Sequence, residues 1–131
     1  MITGVVRSLE PRIRLRVRGP DGRTRVVQAI VDTGFTASLT LPSTLVAYLG
    51  LPWQRVGRTT LGDGTECEFD VYEATVVWDG QIRQIAVDEA ETDPLLGMAL
   101  LNGYRLDAEI RSGGKVRIER LEPRKSRSRA W

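Results

Sequence analysis

Ile30-Val31-Asp32-Thr33-Gly34-Phe35-Thr36 decides how this chain is read. An apolar run rises through Val26–Val31 and ends on a carboxylate, and the Thr-Gly pair behind it breaks the strand at once. Asp32 is therefore expected at the tip of a buried strand, held on a tight turn. The Asp-Thr-Gly triplet occurs once in 131 residues.

Upstream of it the dominant period is two. Ile13, Leu15 and Val17 alternate with Arg12, Arg14, Arg16 and Arg18, the pattern of a strand with one buried and one wet face. Ile2–Arg7 reads as another strand. Gly19-Pro20-Asp21-Gly22 supplies turn residues, so a hairpin delivers the Asp32 segment.

Downstream, Leu39-Thr40-Leu41 reads as extended. Pro42 and the following Ser43–Leu49 suit a short helix closed by Gly50, with proline at its start and glycine just past its end. Thr59–Phe69 reads as a hairpin with Gly62-Asp63-Gly64 at its tip. Strands Val71–Trp78 and Gln81–Val87 are joined by Asp79-Gly80, a two-residue turn signal. A second short helix fits Ala99–Gly103 and the residues before it. Tyr104–Ile110 and Lys115–Leu121 read as closing strands around Ser112-Gly113-Gly114. The fold class is all-β with one or two short helices, and no internal repeat is evident.

Composition removes competing chemistries. With no histidine, the chain cannot supply a Ser-His-Asp triad, a Cys-His pair or imidazole ligands for a catalytic metal. Cys67 is the single cysteine, so an internal disulfide is impossible, and it is expected as a half-buried strand residue. The length suits one domain, residues 1–121, followed by a basic, flexible segment at 122–131. No apolar block resembles a signal peptide or a membrane span, and the expectation is a soluble, cytoplasmic protein.

The formal charge of +2 is unevenly spread. Residues 120–131 carry Arg120, Arg124, Lys125, Arg127 and Arg129 against Glu122, a net of +4, which leaves −2 for the rest. Such a tail could touch phosphates or an acidic partner, although a solvated tail is the simpler expectation. The body has neither a basic face nor interleaved aromatics, so nucleic acid is not the expected partner.

Three landmarks in this order resemble the retropepsin-like aspartic proteases, especially small bacterial single-domain members. They are Asp32-Thr33-Gly34 within Val31–Pro42, the Gly62-Asp63-Gly64 hairpin where that family has its flap, and Leu95-Leu96-Gly97, an apolar-apolar-Gly signature before a short helix. The resemblance spans about residues 26–106. It implies a retropepsin-type acid protease barrel whose active site is completed by homodimerisation, because a single Asp-Thr-Gly supplies half of a carboxylate dyad. Terminal strands are implied to help form the dimer interface.

The same resemblance implies roles. Asp32 of each subunit would share one proton and grip one water, hydrolysing a peptide bond by general acid–base catalysis without metal or cofactor. Thr33 would reach across the twofold axis to lock the two loops. Gly34 would let backbone approach and hydrogen-bond the carboxylate, and Thr36 stands where relatives carry a hydroxyl near its outer oxygen. Gly62, Asp63 and Gly64 would close over an extended peptide, with Asp63 replacing a small apolar residue. Leu95, Leu96 and Gly97 would pack behind the catalytic loop, a task shared with any buried strand and helix start.

Other residues carry less. Trp53, Trp78 and Tyr72 are expected in the core or an interface rather than in subsites. Asp93 lacks a following Thr-Gly and is not a second catalytic carboxylate. Asp107 and Glu109 alternate on a late strand and are expected exposed. The alternative function is a catalytically weak retropepsin-like dimer that binds peptides.

Overall fold

The computed structural model of the chain describes residues 1–124. The charged tail segment 125–131 lies outside the described residues, and with it most of the expected 122–131 tail.

Alternation dictates the first layer. Strand β2 (Glu10–Arg18) buries Ile13, Leu15 and Val17 to 2% exposure or less and turns Arg14, Arg16 and Arg18 to solvent. Strand β1 (Ile2–Arg7) pairs antiparallel with β2 through a tight turn at Ser8 and Leu9, both at positive φ. Strand β3 (Thr24–Val31) completes the expected hairpin with β2 and ends one residue before Asp32.

Strand β4 (Leu39–Leu41) is buried at all three positions. Helix α1 (Ser43–Leu49) follows Pro42 and is stopped by Gly50 in the left-handed region. Strands β5 (Trp53–Thr60) and β6 (Glu66–Trp78) form a long hairpin. The separate strand expected at Val71–Trp78 is the second half of β6, because no glycine or proline interrupts residues 66–78. Strand β7 (Gln81–Glu89) returns from the Asp79-Gly80 turn, where both residues take positive φ.

Strand β8 (Leu95–Leu96) and helix α2 (Met98–Leu101) come next, then β9 (Tyr104–Ala108) and β10 (Lys115–Arg120). The second helix stops at Leu101, earlier than expected, since Gly103 at φ 87 turns the chain straight into β9. Strand β9 ends at Ala108, before the expected Ile110, because Arg111 and Gly114 already close the turn with Glu109 and Arg111 carbonyls.

All ten strands join one sheet in the order β5-β6-β7-β4-β8-β3-β2-β1-β10-β9, and an added β6–β2 pairing closes most of it into a barrel. The core runs through the inside, from Val6 and Ile13 to Leu39, Leu96, Leu100 and Ile118. Trp78 is 1% exposed, and its ring meets Tyr104 edge-on at 5.5 Å.

One expectation fails on burial. Cys67 is exposed instead of half-buried, because it sits on the hairpin arm of β6 that projects beyond the barrel and has no layer above it. Trp53 lies outside the core, exposed on β5, where it donates its indole N–H to Asp70 at 3.0 Å. β1 lies between β2 and β10, and β10 between β1 and β9. Among the described residues no helix is long and apolar enough to cross a membrane.

Candidate active site

The site is built where β3 runs out. Val31 is buried, Asp32 is half-buried, and Thr33, Gly34 and Thr36 are exposed. The Gly34 N–H donates to Asp32 Oδ1 at 2.9 Å, and the Phe35 N–H donates to the Asp32 carbonyl at 3.2 Å, which closes the turn. A Cβ on residue 34 would stand 3.3 Å from the same carboxylate oxygen, so glycine gives the backbone its approach.

Strand β8 fixes that turn from behind. It runs parallel to β3 with Ile30 beside Leu95 and Val31 beside Leu96, and antiparallel to β4 at Leu39. Ile30 N–H donates to the Pro94 carbonyl at 2.8 Å and Asp32 N–H to the Leu96 carbonyl at 2.9 Å. The loop beyond Asp32 is held as firmly: Gly97 N–H donates to the Ser38 carbonyl at 2.9 Å, and Met98 N–H to the Phe35 carbonyl at 2.8 Å. Any Cβ at Gly97 would collide with the Ala37 carbonyl oxygen and the Phe35 ring. Leu95, Leu96 and Gly97 therefore sit directly behind the Asp32 loop.

Thr40 was not legible as part of this support. It is 5% exposed, and its hydroxyl accepts the Leu95 N–H at 2.9 Å, tying β4 to β8. Its signal was a polar residue between two leucines in a strand too short to have an outer face.

The β5–β6 hairpin stands over the loop. Its tip is closed by Leu61 N–H to the Thr65 carbonyl at 2.8 Å and Gly64 N–H to the Leu61 carbonyl at 2.9 Å, with Gly64 at φ 85. Asp63 accepts from both the N–H and the hydroxyl of Thr65, and these bonds hold its carboxyl below the ordinary aspartate range. Gly62, Asp63 and Gly64 thus form a structured tip.

Between hairpin and loop lies a cleft of about 820 Å³. Gly34 and Thr36 line one wall and Gly57, Thr59 and Phe69 of the hairpin arms the other. Asp32, Thr33 and the tip residues Gly62–Gly64 do not line this cleft within the single chain. Asp88 contributes a charged wall residue that the sequence did not single out. Burial raises its carboxyl above the ordinary value, and the guanidinium of Arg55 partly opposes the rise. Across the hairpin arms Arg58 pairs with Glu68 at 3.3 Å, an exposed contact. Among the described residues no three His, Cys, Asp or Glu side chains cluster as a metal would require. Asp93 lies in the loop before β8, and no Asp-Thr-Gly-like turn follows it.

No protein-family profile matches the chain, and no curated protein matches it. Among solved structures it is similar to the EIAV protease complexed with the inhibitor HBY-793, with 20% sequence identity and a TM-score of 0.50. The likeness covers 75% of this chain and 92% of that one. Ten strands, two short helices and a β8 threaded between β3 and β4 thus make a retropepsin-like, all-β fold.

Proposed function

We propose that the chain is one subunit of a homodimeric aspartic endopeptidase. The observation that carries this reading is the Gly34 N–H at 2.9 Å from Asp32 Oδ1, on a turn braced by β8 in a retropepsin-like fold. One carboxylate cannot hold a water and also donate a proton to the scissile carbonyl. Two Asp32 groups related by a twofold axis can do both, because like charges in contact retain one proton between them.

In the proposed reaction the ionised Asp32 takes a proton from the bridging water while its protonated twin donates to the carbonyl oxygen. The tetrahedral product collapses when a proton reaches the amide nitrogen, and neither metal nor cofactor takes part. Thr33 buttresses the paired loops and Thr36 flanks the carboxylate. The tip at Gly62, Asp63 and Gly64 closes over an extended peptide lying in the cleft. The catalytic domain is residues 1–121, with 122–131 as a basic extension.

A second reading, a peptide-binding module with little turnover, draws support from the cleft alone. The deciding experiment is cleavage of a diverse peptide library from about pH 4 to 7, wild type against Asp32→Asn, at a concentration where sedimentation finds dimers. Cleavage by wild type and not by the variant is the expected result. Equal cleavage by both would sink the mechanism, and silence from both with tight binding of a tetrahedral-intermediate mimic would favour the binding module.

A further inference from the structure

Burying Ile13, Leu15 and Val17 sends every even-numbered arginine of β2 to the outside of the barrel. Arg12, Arg14, Arg16 and Arg18 therefore stand in one row on one face. Arg7 joins them from β1, and β10 adds Lys115 opposite Val5 and Arg117 opposite Thr3, all exposed. We propose that this outer face of β1, β2 and β10 binds the phosphate backbone of a single-stranded nucleic acid, independently of its base sequence.

Charge segregation is the first argument. The same three strands carry only two acidic residues, Glu10 and Glu119, with Asp107 of β9 opposite Arg117. Residues 63–93 hold ten of the 17 acidic residues and a single cation, Arg83. Counted along the chain these charges cancel, and the expectation of a body without a basic face fails for that reason. None of the cations on this face lines the cleft beside Asp32, whose charged walls belong to other segments. Among the described residues Arg12 alone of this group has an ion-pair partner, Glu10 at 2.7 Å. Like charges so placed repel one another, and a polyanion would offset that repulsion.

Spacing is the second. Outward side chains two residues apart on a strand are separated by about 6.8 Å, close to the step between successive phosphates along a nucleic acid strand. Arginine also suits the task, because its planar guanidinium grips a phosphate through two N–H groups at once.

The third is an unsatisfied donor. Between β1, β2 and β3 opens a pocket of about 160 Å³, lined among others by Arg7, Arg12, Arg14 and Gln28. Arg12 spends its Nη2 on Glu10, but its Nε is buried without an acceptor. An orphaned guanidinium donor in such a lining calls for an anion, and the pocket has room for one phosphate group.

The same strands say how the ligand is read. β1, β2 and β10 contain no aromatic residue, so bases find no stacking platform and contact is confined to the backbone. The face lies on the convex outside of the barrel, where a flexible single strand can follow the row and a rigid duplex would touch it only briefly.

The test titrates the full chain against a fluorescein-labelled DNA strand of roughly 16 nucleotides and mixed sequence, read by fluorescence anisotropy. Wild type should bind at about 1–100 μM and weaken steeply between about 50 and 200 mM salt. Arg14→Gln combined with Arg16→Gln should lower affinity roughly tenfold and flatten the log–log salt slope by about 1.4. Arg14→Lys with Arg16→Lys should keep that slope, and circular dichroism confirms that each variant is folded. Arg58→Gln in the cleft, and Lys125→Gln with Arg127→Gln and Arg129→Gln in the C-terminal segment, should each lose less than the glutamine pair. Absence of DNA binding even at low salt overturns the proposal. So does a glutamine pair that binds as wild type does while the cleft or C-terminal variant fails. Capture by phosphatidylserine vesicles without binding to DNA would likewise overturn it and assign the face to a membrane surface.

Discussion

The Thr40 hydroxyl accepts the backbone N–H of Leu95 at 2.9 Å, a side-chain bond joining β4 to the strand that braces Asp32. It is the single buried polar side chain among the described residues, and it stands in for a ladder bond that two-residue β8 cannot make everywhere.

Thr40→Val keeps the shape and removes the acceptor. The unpaired Leu95 N–H should cost about 1–2 kcal/mol, with Tm lower by roughly 3–8 °C. Thr40→Ser should restore most of it. Thermal unfolding of the three proteins checks this, and equal midpoints would mean the bond contributes nothing.

Gly97→Ala puts a methyl group into the Ala37 carbonyl and the Phe35 ring. Backbone on one side leaves little room to yield, so a loss of about 1–3 kcal/mol is expected. The displaced loop carries Asp32, so peptide cleavage should fall more than stability alone accounts for, by roughly tenfold or more. Denaturant unfolding and initial rates on one preparation separate the two effects.

Asp88 gives a pH signature. Its carboxyl is raised by burial, so the folded state binds its proton more tightly than the unfolded chain does. That contribution to stability is complete below the ordinary aspartate value and is lost as pH rises through the raised one. Asp88→Asn should therefore be more stable than wild type at neutral pH and no more stable at acid pH. Unfolding free energies measured across that range give the answer; a difference that does not shrink with acid would contradict the assignment.

Leu9 sits in the β1–β2 turn at φ 60 and is 73% exposed, so it takes left-handed strain without burying its side chain. Leu9→Gly should stabilise the protein by about 0.5–1 kcal/mol, the strain relieved less the added chain entropy. An unchanged or lower Tm would show that the turn is held by contacts of the leucine itself.

Much of the fold was legible because its signals are local. The period-two pattern of Ile13, Leu15 and Val17, proline and glycine around Ser43–Leu49, and the Asp79-Gly80 turn each fit within a few residues, and each element stands where it was expected. The Ser8-Leu9 turn was not legible, because neither residue is a usual left-handed one. Cys67 was misplaced for a related reason: a strand pattern says which face a residue shares, and only the barrel says whether anything covers that face.

The sequence by itself determined most of the strands, the presence of two short helices, and an Asp-Thr-Gly at the end of an apolar strand. Tertiary structure alone decided that Leu95 and Leu96 slide between β3 and β4, that Thr40 turns inward to meet them, and that Asp88 is half-buried in the cleft. It also decided that β10 covers β1 and leaves β9 open. Turn and periodicity signals depend on neighbours along the chain. Strand order, burial depth and free edges depend on which distant segments win the pairing, and that competition is settled by the whole core at once.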